Sequence, residues 1–67
     1  MKIKVNGEYR AVESATIGAL LNELGITAGR VAVELNMKII SRKDYDATAL
    51  KEGDVVEIVN FVGGGEL

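Results

Sequence analysis

The residues best placed to do chemistry lie together near one end of the sequence, in the run Gly63-Gly64-Gly65. Glycine leaves its carbonyl carbon unhindered by a side chain, so an acyl group there is open to a nucleophile once its oxygen has become a leaving group. Three residues without Cβ atoms can also thread a narrow channel and take backbone angles closed to other residues. The plain alternative for such a run is terminal fraying, the default for chain ends. Elsewhere the inventory is thin. With no cysteine and no histidine in 67 residues, the chain has no thiolate nucleophile, no usual general base and no zinc-thiolate set. The chain is therefore poorly equipped for side-chain catalysis.

Two other patterns fail on spacing. Asp44, Asp46 and Thr48 alternate as in a calcium loop, but Ala49 and Val55 stand where the glycine and the closing glutamate are needed, so the segment reads as a solvated turn. The glycine run does not make a phosphate loop, because no Lys-Ser/Thr pair and no helix follow it. No metal site is expected.

A net charge of -2, a pI near 5.0 and scattered basic residues exclude nucleic acid as a partner. No apolar run approaches the roughly 20 residues needed to span a bilayer, and Met1-Lys2-Ile3-Lys4 lacks the apolar stretch of a signal peptide, so no membrane association and a cytoplasmic location are expected.

The elements that must position the tail follow from periodicity. Met1, Ile3 and Val5 alternate with Lys2 and Lys4, and Asn6-Gly7 is a strong hairpin signal, so a β-hairpin opens the chain. Its return strand, around Tyr9 to Glu13, alternates less cleanly because Val12 shares a face with Arg10, which predicts a bulge or an early strand end. Ile17, Leu20, Leu21 and Leu24 form one helical stripe, with Thr16 as N-cap and Gly25 just past the end. Val31, Val33 and Leu35 alternate again, and Asn36-Met37-Lys38 turns into Ile39 and Ile40. Ser41 to Thr48 reads as an irregular turn. Leu50 to Asp54 is a tight turn into a last strand, Val55 to Phe61, with Val56 and Ile58 facing the core. A strand returning after a helix-containing crossover should pair in parallel with the first, at mid-sheet. The fold class is α+β: a β-grasp of four to five strands in a mixed sheet with one packed helix. It spans residues 1–62 and is followed by a flexible glycine tail with a two-residue extension, 63–67. If Val56 and Ile58 are buried, Glu57, Val59 and Phe61 point to the other face, where Val59 and Phe61 form an apolar docking patch beside Val62 and Gly63.

Val33-Glu34-Leu35-Asn36, the stretch from Tyr45 through Leu50-Lys51-Glu52-Gly53-Asp54 to Glu57, and the ending Val62-Gly63-Gly64-Gly65 resemble the ThiS family of ubiquitin-like sulfur carriers in thiamine biosynthesis. The resemblance covers nearly the whole chain. The di-glycine ending alone is shared with ubiquitin and, more distantly, MoaD; its combination with the Leu-Lys-x-Gly-Asp turn is more specific. The resemblance implies a protein cosubstrate and not an enzyme. Its terminal glycine carboxylate, Gly65 here and preceded by Gly64, would be adenylated with ATP and Mg²⁺ by an E1-like partner of the ThiF type. It would then be converted to a thiocarboxylate by way of a sulfur donor protein and spent in thiazole formation by a ThiG-type thiazole synthase. No cofactor would be bound by this chain itself, and without cysteine any sulfur it carries must sit on the terminus.

One departure bears on that chemistry: Glu66 and Leu67 follow Gly65, which then has a peptide carbonyl and no carboxylate. A native extension removed by a processing protease, a cloning remnant and a lost activity each account for it. Met37 is a second departure, at a position where relatives often place glycine. Two other functions compete, a MoaD-like carrier for molybdopterin synthesis and a β-grasp module that binds partners through its sheet without conjugation.

Overall fold

The computed structural model describes residues 1–61; Val62, the glycine run and Glu66-Leu67 lie outside the described residues. Strand β1, Lys2–Val5, turns at Asn6-Gly7 into antiparallel β2, Glu8–Ala11, with Val5 opposite Glu8 and Lys2 opposite Ala11. Helix α1, Ile17–Glu23, follows. Then come β3, Val31–Leu35, antiparallel β4, Lys38–Ile40, and β5, Val55–Asn60. The order across the five-stranded sheet is β2-β1-β5-β3-β4. The last strand is thus central, parallel to β1 and antiparallel to β3, as the crossover argument predicts.

The helix forms where local signals agree. Thr16 is extended and its Oγ1 accepts from the Ala19 N–H at 3.1 Å, satisfying one of the donors a helix start leaves over. At the other end Gly25 takes φ 74°, while its N–H donates to Asn22 O and the Ile26 N–H donates to Leu21 O. This double closure is a Schellman motif, and it turns Ile26 back onto the core that Leu21 helps to build. Helix α1 is 7 residues long and would not persist alone. It forms because Ile17, Leu20 and Leu21 are buried against Ile3, Val33 and Val56 of the sheet.

The return strand ends early, at Ala11, which is one of the two outcomes its broken alternation predicts: Val12 is buried in the core while Arg10 stays exposed. Met1 still pairs across to Val12: the Val12 N–H donates to Met1 O at 2.8 Å and the N-terminal amine donates to Val12 O at 2.9 Å. Ser41 to Thr48 is not irregular; Arg42–Ala47 forms a 3₁₀ segment, and a shorter one spans Ala28–Arg30. The longer segment is anchored by Tyr45, whose ring is buried in the core. The link from β2 to α1 is a polar clasp. The Glu23 carboxylate accepts from the Ser14 hydroxyl and from the backbone N–H groups of Glu13 and Ser14. The hydroxyl bond, with the two backbone bonds and the charge of Arg10, outweighs partial desolvation and holds this carboxyl below its usual range.

Candidate functional site

The tail is delivered by β5, and β5 is held from both sides. Against β3 the register runs from Leu35 opposite Val56 to Val31 opposite Asn60, and the Phe61 N–H donates to Arg30 O at 3.0 Å. Against β1 the paired residues are Lys4 with Val55 and Val5 with Val56. Two turn asparagines extend these ladders. Asn36, at φ 52°, donates its N–H to Val55 O and accepts from the Val55 N–H through Oδ1 at 2.9 Å. Asn6, at φ 50°, accepts from the Ile58 N–H at 2.7 Å and donates to Ile58 O at 3.1 Å through its carboxamide. A strand fixed along both edges is a rigid base for whatever follows it.

Alternation along β5 sorts its side chains. Val56 is fully buried and Ile58 is half-buried against the core, so Glu57 and Val59 face outward. Val59 is 59% exposed and Phe61, one residue past the strand, 41% exposed. Their neighbours do not cover them. The outer face continues through Ala32 opposite Val59, then Glu34 opposite both Glu57 and Ile39. On the other flank, Tyr9 of β2 lies opposite Lys4, with the Lys4 Nζ 5.3 Å and the Lys2 Nζ 6.0 Å from the ring centroid. The face is therefore apolar at the end of β5, basic along β1 and acidic between β3 and β5.

Of the residues singled out from sequence, Glu57, Val59 and Phe61 come together on this face. Val62, Gly63, Gly64 and Gly65 lie outside the described residues. Sequence reasoning missed Asn6 and Arg30, which anchor the tail end of β5. Asn6 was legible as a turn residue, but the reach of its side chain to Ile58 depends on β1 and β5 meeting in space.

On the helix side, a cavity of about 370 Å³ opens between β2 and the end of α1, lined by Val5, Asn6, Glu8, Arg10, Leu24, Ile26 and Ile58. It presents one carboxylate and one guanidinium and no nucleophile. Among the described residues no group of three or more acidic, histidine or cysteine side chains is placed to hold a metal ion, and no helix is long and apolar enough to cross a membrane.

Comparison with known proteins agrees with this geometry. The family model described as the ThiS family matches residues 3–65. The crystal structure of a thiamine biosynthesis protein (ThiS) from Geobacter metallireducens superposes with a TM-score of 0.82 at 40% identity, covering 97% of this chain and 100% of that one. The sulfur carrier protein ThiS of Thermus thermophilus is 38% identical over 91% of this chain and 95% of its own length. A thiazole synthase from Paramagnetospirillum magneticum is 47% identical over 97% of this chain, which spans only 20% of that protein. A second, from Magnetococcus marinus, is 45% identical, with the chain spanning 21% of it.

Proposed function

The chain belongs to the ThiS family, and from that premise we propose that it is a sulfur carrier for thiazole formation in thiamine biosynthesis, a cosubstrate of partner enzymes in the cytoplasm. The observation that carries the reading is that the family match takes in both the fold and the glycine run as far as Gly65. The acyl group of Gly65 is the reactive centre. An activating partner of the E1-like class supplies ATP and Mg²⁺; the Gly65 carboxylate oxygen attacks the α-phosphorus and pyrophosphate leaves. The outer sulfur of a donor protein's persulfide then attacks the carbonyl carbon and AMP leaves with the original oxygen; a second thiol reduces the resulting acyl disulfide, forming a disulfide with the donor's sulfur, and a thiocarboxylate remains. This requires Gly65 to be terminal, so Glu66 and Leu67 must be removed by hydrolysis of the Gly65–Glu66 bond.

The fold supplies the handle. Glu57, Val59 and Phe61 dock partners while Val62, Gly63 and Gly64 carry the acyl group to their active sites. Fully extended, the four residues after Phe61 reach about 13 Å at roughly 3.3 Å each. The match to about a fifth of two thiazole synthases supports an enzyme of that class as the acceptor of the sulfur. Deleting Gly64 and Gly65 tests the reading. We expect complete loss of thiamine-independent growth in a host that depends on this chain, with partner binding through the sheet retained; undiminished growth would support a non-conjugating module.

A further inference from the structure

A strand at the centre of a sheet needs hydrogen-bond partners on both edges. On its β3 side, β5 is paired as far as the bond from Phe61 to Arg30. On its β1 side the backbone ladder stops earlier, because β1 turns away at Asn6-Gly7 after the Asn6 N–H has donated to Val56 O. The next residue of β5 to present its N–H and C=O on that side is Ile58, and both groups are met by one side chain, the Asn6 carboxamide. A primary amide offers the same donor and acceptor pair as a peptide unit. The side chain thus stands where the next residue of β1 would have stood.

The turn does not itself require this. A two-residue turn of this type needs positive φ at Asn6, which glycine supplies equally well. What the carboxamide adds is a fixed path for the tail end of β5. We propose that Asn6 is a positioning residue for the acyl chemistry: it extends the β1 ladder to Ile58 and sets the line along which the strand hands over to the tail. This rests on the sulfur-carrier reading above. Asn36 makes a related contact with Val55 at the opposite end of β5, far from the tail, and is an internal control of matched chemistry.

The test compares Asn6→Gly with Asn36→Gly in chains ending at Gly65, a cut that leaves residues 1–61 intact. Initial rates of thiocarboxylate formation are measured with an activating enzyme, ATP, Mg²⁺ and inorganic sulfide, well below the melting temperature of every variant. N6G should lower kcat about tenfold with KM nearly unchanged, as expected of a misplaced reacting group. N36G should leave both constants unchanged even though its melting temperature falls. Asn6→Asp, which keeps the acceptor for the Ile58 N–H but sets a carboxylate oxygen against Ile58 O, should behave like N6G. On the full-length chain, amide exchange in N6G should speed up more at Ile58 than at Leu20. Equal rate losses in N6G and N36G, wild-type kcat in N6G, or unchanged exchange at Ile58 would each overturn the assignment. If the parent chain is not loaded at all, the carrier reading fails and the assignment with it; a loaded parent with fully active N6G overturns the assignment alone.

Discussion

The two hairpin turns have nearly the same backbone and different second residues, and this makes a signed prediction. Asn6-Gly7 has φ values of 50° and 86°, and Asn36-Met37 has 52° and 73°. Holding a non-glycine residue in the left-handed region costs about 1–2 kcal/mol. Met37 is 87% exposed, so replacing it forfeits almost no burial. Against the relieved strain stands the greater freedom of glycine in the unfolded chain, about 0.4–1 kcal/mol. Met37→Gly should therefore stabilise the protein by about 0.5–1 kcal/mol, raising the melting temperature by about 2–8 °C in a domain of this size. The reverse change, Gly7→Ala, meets nothing within 4 Å of the added Cβ, so its cost is conformational alone. It should destabilise by about the same amount. Urea titrations of both variants at one temperature, with a common slope, give the two free energies. Shifts of the same sign, or a destabilised M37G, would refute the claim that backbone strain in the left-handed region distinguishes these turns.

Leu20 is fully buried, and Leu20→Ala should cost about 2–5 kcal/mol, much of the stability of so small a domain, seen as loss of the cooperative melt at physiological temperature. The Glu23 clasp predicts acid sensitivity. Because its folded pKa is depressed, its contribution is present above the ordinary glutamate range and is lost as pH falls through the lower folded value. Denaturation midpoints of the parent should therefore drop towards those of Glu23→Gln on acidification, and a difference between the two that did not depend on pH would count against this. Val59→Asp, on the exposed face, should change stability by no more than about 1 kcal/mol. It should weaken binding of the activating enzyme by about 2 kcal/mol or more, measured by calorimetry.

How far the sequence foretold the structure depended on the range of the cause. The helix was legible in full because Thr16, the Ile17-Leu20-Leu21-Leu24 stripe and Gly25 act within one another's reach. The central, parallel placement of β5 followed from the order of elements and the handedness of crossovers, and the outward set Glu57 and Val59 from simple alternation. The 3₁₀ segment at Arg42–Ala47 was not legible, since it owes its form to Tyr45 reaching a core assembled from distant residues. The early end of β2 was one of two outcomes that the conflict between Arg10 and Val12 allowed; the choice between them rests on a core assembled from residues distant in the chain, which buries Val12. The carboxamide bridge from Asn6 to Ile58 links residues far apart in the chain, and no local pattern announces it.

The central claim is that sulfur is carried on the main chain's own acyl group at Gly65. Its most direct test is intact mass measurement of the chain ending at Gly65 after incubation with an E1-like activating enzyme, ATP, Mg²⁺ and sulfide. The account predicts a mass gain equal to one oxygen exchanged for sulfur, localised to Gly65 by fragmentation, and no gain in the chain that still ends at Leu67. An unchanged mass at Gly65, or sulfur found on a chain that keeps Glu66 and Leu67, would contradict it.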